Sequence, residues 1–504
     1  MSPRRSLVAV AFTAAAAVAG ALASIAFCAT AIAAPAPAET PTAYAIVAQD
    51  QVALRATARD GSPQQALLWQ GDLLEVRGER LDHLQVYDHR RERAGYVRAM
   101  QVRRLTLTPG EAPQLLAVLR FLRDTPGAEA LGIAYAAAYL KAVPAGEITA
   151  EPFDALGTLA ERLARRASVR QAKLQDAALA AHLEVAAAYG VQMRSIEHHG
   201  RVQLCYQGDA FLRTLALEPT PEQHARAALA LTRDDCIEPA MPPLARAQLD
   251  EERAQLLEQV DTASLPEALK NRLRLRRAGA WAALAYQRSR QPEGDAAAAA
   301  ERALQALAGV NKTELADDDQ MAYAEAAVRT NASRWALQPH PAGRQRLALL
   351  TEAGLPGQTC LLLIDRERAH PKPLAERCTY GTVWAQSASA NAAGTALAVA
   401  VQPLASWREL WVFHASPKGW KVNVLPPATG DTQLGVVEFA GWLPDGKRLL
   451  AAREAKVDGR FKRSFEVLRV DSLVTEKRAD KPESITAFYR WQDAAWKRQS
   501  PILR

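Results

Sequence analysis

Phe439-Ala440-Gly441-Trp442-Leu443-Pro444-Asp445-Gly446-Lys447-Arg448-Leu449-Leu450 reads as two strands folded about a hairpin turn. Asp-Gly tolerates the positive φ that tight hairpins demand, and the apolar flanks supply strand propensity. Downstream, Ser464-Phe465-Glu466-Val467-Leu468-Arg469-Val470 alternates as a further strand. The same features stand upstream in the same order: Val383-Trp384, Gly394-Thr395-Ala396-Leu397-Ala398-Val399, Arg408-Glu409-Leu410-Trp411-Val412-Phe413 and Gly419-Trp420-Lys421-Val422. Gly446 follows Gly394 by 52 residues, and Val467 follows Trp411 by 56. Residues 358–504 therefore read as a duplicated unit of short antiparallel strands.

A period near 50 with four short strands per unit is that of a propeller blade. Trp442-Leu443-Pro444-Asp445-Gly446-Lys447 resembles the W-x-P-D-G-K turn of blades in the Tol-system periplasmic propellers, and Asn391-Ala392-Ala393-Gly394 is a weaker copy. The resemblance implies blade-like sheets with a recognition role. Two units, with strands expected at Leu361–Ile364 and Ile485–Trp491, give at most about three blades where closure needs at least four. An open stack, a propeller completed by another chain and a sandwich all remain open. Trp407, Trp420, Trp491 and Trp496 exceed what two small sheets need for their cores. They are candidate contacts, since tryptophan is enriched at interface hot spots; the alternative is that they cover sheet faces or the helical region.

Working outward, residues 43–106 alternate in short segments punctuated by Asp60-Gly61-Ser62-Pro63 and Gly71-Asp72. Val52-Ala53-Leu54-Arg55-Ala56, Leu67-Leu68-Trp69-Gln70-Gly71-Asp72-Leu73-Leu74-Glu75-Val76, Leu84-Gln85-Val86-Tyr87 and Gly95-Tyr96-Val97 resemble the bacterial SH3 domain family. That likeness implies a small β-barrel that binds peptidoglycan, peptides or protein partners without catalysis, with Trp69 and Tyr96 as candidate contacts. The loop His89-Arg90-Arg91-Glu92-Arg93 departs from the pattern in its heavy charge.

Between these β regions, residues 111–350 carry an alanine-rich helical periodicity, with Leu115, Leu119 and Leu122 on one face and Leu156, Leu159 and Leu163 on another. Proline and glycine cut it into roughly ten helices, an irregular solenoid-like all-α domain with no clean repeat. Gly208 to Leu231 is weakly similar to a tetratricopeptide-type helical pair. Arg272, Arg274, Arg276 and Arg277 form a basic cluster, read as a solvated face pairing with Glu251, Glu252 and Glu258 rather than as a polyanion site. Asp317-Asp318-Asp319 is expected to cap a helix starting near Gln320.

At the N-terminus, Arg4 and Arg5 precede an uncharged run from Leu7 to Ala34 closing on Ala31-Ile32-Ala33. This is the pattern of an export signal over 1–33, cut before a Pro/Ala linker over 34–42. Export by the general secretory route into the periplasm is the reading adopted; the twin-arginine route and an uncleaved anchor are the alternatives. Phe27 before Cys28 argues against a lipid-modified cysteine. Cleavage removes two arginines and no acid, lowering the formal charge from +7 to +5. So mild a charge on an exported chain argues against nucleic-acid partners, and no second apolar run of spanning length follows. Cys205, Cys236, Cys360 and Cys378 remain, an even number in an oxidising compartment, and neighbours in sequence are expected to pair, Cys205 with Cys236 and Cys360 with Cys378. His198, His199 and His224 flank the first pair, but neither Cys-x-x-Cys nor His-x-x-x-His is present, so no metal is assigned.

Chemistry is harder to find. No Gly-x-Ser-x-Gly elbow surrounds Ser195 or any other serine, and no cofactor motif is legible. The expected architecture is multidomain α+β, and the expected function a non-enzymatic envelope scaffold or adaptor binding an envelope protein or peptidoglycan. The alternative is a peptidoglycan-directed hydrolase targeted by the SH3-like domain, with Glu184 or Glu197 as the first acid candidates.

Overall fold

The computed structural model describes residues 43–169, 173–198, 201–291, 294–339, 345–367, 372–429 and 434–499. The expected export signal, Cys28, the linker and His199 lie outside these residues. The chain is mixed α+β, with its sheets built mainly from antiparallel pairs.

Seven strands come first: β1 (Ala43–Val47), β2 (Val52–Arg55), β3 (Gln64–Leu68), β4 (Leu73–Arg80), β5 (His83–Asp88), β6 (Arg93–Arg98) and β7 (Val102–Leu105). They pair in the order β3-β2-β6-β5-β4-β1-β7, and the ladder ends at β3 and β7 instead of closing into the expected barrel. Alternation puts Val52, Leu54, Leu68, Leu74, Leu84, Val86 and Val97 into one core. The charged loop after β5 turns inward: Arg90 reaches the buried Asp72 at 3.0 Å, and Arg91 bridges Asp72 and Asp88.

Gly71 marks where this sheet meets the helices that follow, α1 (Ala112–Arg123), α2 (Glu129–Ala142), α3 (Ala150–Ser168) and α4 (Lys173–Ala188). Its φ is +94°, and a Cβ there would stand 2.7 Å from the Ala130 carbonyl oxygen and 2.9 Å from Val185 Cγ1. The Tyr189 hydroxyl donates to the Gly71 carbonyl at 2.8 Å. Gly71→Ala therefore combines a strained backbone with a clash into α2, and we expect it to destabilise the protein by about 1–3 kcal/mol, read as a lower denaturant midpoint; an unchanged midpoint would show that the junction yields freely.

A hairpin, β8 (Met193–His198) with β9 (Arg201–Tyr206), then interrupts the stretch read as wholly helical. Helices resume as α5 (Asp209–Ala216), α6 (Pro221–Leu231), α7 (Pro243–Glu258), α8 (Glu267–Ser289), α9 (Ala296–Ala308) and α10 (Gln320–Ser333). The α5–α6 pair occupies the segment read as a helical pair, with Thr220 and Gln223 forming a capping box at the start of α6. Alanines let helices approach closely around α8, whose Ala278, Ala280, Trp281, Ala282 and Leu284 are buried. The helix near Gln320 starts as expected, but Asp319 does not cap it. Its carboxylate instead accepts from Arg272 Nε at 2.9 Å.

Two sheets follow, and the larger is built of two four-stranded units, so that three layers, called the first, second and third sheets below, succeed one another along the chain. β10 (Leu347–Ala353), β11 (Thr359–Asp365) and β12 (Ala375–Thr379) form the first, so strand structure begins within the stretch read as helical. β13 (Thr382–Ala390), β14 (Ala396–Leu404), β15 (Trp407–Ser416) and β16 (Gly419–Leu425) form one four-stranded antiparallel unit, and β17 (Gly435–Trp442), β18 (Arg448–Val457), β19 (Arg460–Arg469) and β20 (Thr475–Ala479) form another. The two equivalent turn glycines match in conformation, Gly394 at φ +64° and Gly446 at +62°. A short parallel contact, Trp407 with Gly435 and Arg408 with Val436, joins the units. Leu361, Leu363, Val399 and Trp411 fill the space between the first and second sheets. Val412, Leu410, Val437 and Leu449 do so between the second and third.

The last expected strand, Ile485–Trp491, is instead helical: α11 (Thr486–Trp491) is followed by α12 (Ala494–Gln499). Ile485 and Phe488 are spaced at helical, not strand, period, and with Trp496 they cover the far face of the third sheet.

Candidate recognition surface

In the first sheet, residues directly across the ladder share a face, and successive residues along a strand lie on opposite faces. Leu347, Leu361 and Leu363 point towards the second sheet. The other face carries Leu350, Glu352, Cys360, Leu362, Glu376 and Cys378. None of these joins an apolar cluster with another element among the described residues. Leu350 is 45% exposed; Leu355 in the β10–β11 turn (64%) and Tyr380 after β12 (55%) stand at the same end of the sheet. Cys360 is bonded to Cys378 on this face, and Cys205 to Cys236 in the helical region, so both expected disulfides are present.

The six aromatic candidates do not converge. Trp407 is 2% exposed because it packs beneath Gly435, where a Cβ would come within 3.1 Å of its ring. Trp496 is 6% exposed among Phe465 and Phe488. Neither presents a contact surface. Trp420 is half-buried against the first-sheet core, and Trp69 and Tyr96 are half-buried in the N-terminal sheet, Trp69 beside the Asp72 turn. Only Trp491 of the set is largely open, next to the still more exposed Tyr489.

The hydrolase candidates are likewise scattered: Glu184 is exposed on α4, and Ser195 and Glu197 are exposed on β8. The basic cluster on α8 is consumed internally, but by other partners than expected. Arg272 pairs with Asp319 and Arg274 with Glu267, while Arg276 and Arg277 donate to the carbonyls of Leu229 and Leu257. Glu251 instead binds Arg288, and Glu258 accepts from the Trp281 indole.

Sequence reasoning missed a buried ionic triad where the helices meet the sheets. Glu438 on β17 accepts from Arg334 Nε at 3.1 Å and from Arg408 on β15. Burial alone would push the Glu438 carboxyl up, but the two guanidinium groups outweigh it and hold the carboxyl below its ordinary range. Burial pushes Arg408 down to about 10, against the opposing pull of Glu438. A signal was present: Val436, Glu438 and Ala440 alternate on one face of an otherwise apolar strand. An adjoining cavity lined by Asn331, Glu438, Arg453 and Arg463 measures about 20 Å³, room for roughly one water molecule and too little for a substrate.

What the fold and this surface define is a mixed α+β protein with an exposed apolar sheet end. No family model, curated protein or solved structure matches the chain.

Proposed function

We propose that the protein is a non-enzymatic scaffold or adaptor of the bacterial envelope, exported to the periplasm, with an SH3-like N-terminal module and blade-like sheets that recognise a protein partner. The observation carrying this reading is the exposed apolar side chains of the first sheet, with Leu355 and Tyr380 at the end where the Cys360–Cys378 bond lies and Leu350 further along β10. Apolar side chains grouped on a sheet end, rather than scattered singly, are the usual mark of a contact site. Trp491 and Tyr489 offer a second aromatic contact on α11.

Envelope extract passed over the immobilised mature chain should yield a protein partner that Leu355→Asp with Tyr380→Asp captures at least about tenfold less well, the scale of losing one hot spot. Equal capture by both chains would remove this surface from the reading. Purified cell-wall sacculi separate the alternatives: co-sedimentation makes peptidoglycan the ligand, and release of soluble fragments makes the protein a hydrolase.

A further inference from the structure

Two carboxylates flank the Cys360–Cys378 bond on the second face of the first sheet. Glu352, Cys360 and Cys378 form one cross-strand row, since Glu352 is paired with Cys360 and Cys360 with Cys378. Glu376, two residues before Cys378 and on the same face, lies one row away with an oxygen 3.7 Å from Cys378 Sγ. The two sulfurs and a Glu376 oxygen all lie within 4.8 Å of one another. On the Cys360 side, the Cβ position of Gly354 is 2.8 Å from Sγ and 2.7 Å from Gln358 Oε1, so glycine lets the β10–β11 turn pack directly on this sulfur, which is 7% exposed. Glu352 and Glu376 are exposed, and Cys378 is half-exposed.

This bond differs from Cys205–Cys236 in what it joins. β11 and β12 are already held by a ladder from Thr359↔Thr379 to Leu363↔Ala375, so opening the bond leaves the strands paired. The Cα atoms are 3.9 Å apart, which keeps both sulfurs within reach of one ion. Zn–S bonds of about 2.3 Å in a tetrahedral site place two sulfurs roughly 3.8 Å apart, a separation that side-chain rotation supplies.

We propose that Cys360 and Cys378, once reduced, bind Zn²⁺ together with Glu376, with Glu352 or water completing a tetrahedron, and that the disulfide is the closed state of this site. The oxidised sulfurs stand in for two thiolates. A dithiol reductant supplies the two electrons and two protons that convert the bond into two thiols, itself becoming a disulfide. Zn²⁺ then displaces both thiol protons to water. Two thiolates with carboxylate oxygen form a donor set that suits zinc and disfavours the hard cations Ca²⁺ and Mg²⁺. Binding is tied to redox state and falls at low pH, where protons compete for the thiolates.

The test uses the full mature chain, reduced anaerobically with a phosphine, which takes the oxygen of water as its oxide while the sulfurs take the protons. Cobalt(II) is the spectroscopic probe, and zinc affinity is read by competition with a chromophoric chelator. Reduced protein should show thiolate-to-cobalt charge-transfer absorption that the oxidised protein lacks. Cys360→Ser with Cys378→Ser should lose it, and that variant also reports whatever the reduced Cys205 and Cys236 contribute. Glu376→Gln keeps both cysteines and alters an exposed side chain, so its fold is secure; it should weaken zinc binding by at least about tenfold. Absence of the absorption in reduced protein, its persistence in the double serine variant, or unaltered zinc affinity in Glu376→Gln would each overturn the proposal.

Discussion

Glu438→Gln should destabilise the protein by about 3–5 kcal/mol, the cost of leaving a buried ion without its counter-charge. The carboxylate is enclosed on β17, and the two guanidinium groups it serves, Arg334 and Arg408, are 8% and 0% exposed. Arg408 also donates to the Ala332 carbonyl at 3.1 Å, so it cannot swing out to water without breaking the seam between α10 and the sheets. A neutral amide keeps the shape and one acceptor oxygen but leaves two positive charges facing each other in a place that excludes solvent. Replacing the triad together, Arg334→Met, Glu438→Leu and Arg408→Met, should recover most of the loss, because the desolvation of all three ions then disappears. The pH dependence has a definite sign. The folded carboxyl titrates below its ordinary value of 4.5, so its contribution is complete above that pH and is lost as pH falls through the folded value. Urea unfolding followed at neutral and acid pH measures both effects. A cost below about 1 kcal/mol would mean that water reaches the triad after all.

How much of this was legible depends on the range of the interactions. Local chemistry was readable: Asp445-Gly446 announced its hairpin, and cysteine neighbours their bonds. The hairpin Met193–Tyr206 was missed because its alternation is short and embedded in alanine-rich helical texture. Ile485–Trp491 was misread because a few apolar residues after a strand look like one more strand, although Ile485 and Phe488 have helical spacing. Long-range outcomes were not readable at all. Trp407 is buried because Gly435 in the next unit leaves room for its ring, and Glu438 finds Arg334 across 104 residues. The exposed end of the first sheet follows from the order in which the sheets stack, which no local pattern encodes.

Loss of the Cys205–Cys236 bond should cost about 3–4 kcal/mol, as expected for a bond closing a loop of this length, and should also change how stability responds to acid. The bond ties β9 to the 3-10 turn Asp234–Cys236, separated by 31 residues. That turn presents Asp234 to Arg253, which is 3% exposed, and Asp235 to Arg233 at 2.6 Å and to Gln203 on β9. Arg253 in turn holds Asp250 at 2.8 Å, and Arg329 on α10 lies 3.9 Å from Asp234, so one turn organises charges from several helices. Burial would raise the Asp235 carboxyl, but Arg233 and Gln203 hold it down at about 2; Asp234 is lowered in the same way by Arg253, Arg329 and Arg276. Both folded values lie below the ordinary 3.8. Their stabilisation is therefore complete above that pH and drains away as pH falls towards 2. In Cys205→Ala with Cys236→Ala the turn is free to leave the arginines, the carboxyls return towards ordinary values, and the acid slope should flatten between about pH 4 and pH 2. Stability curves of the two proteins that ran parallel through this window would show that the arginines, not the disulfide, keep the turn in place.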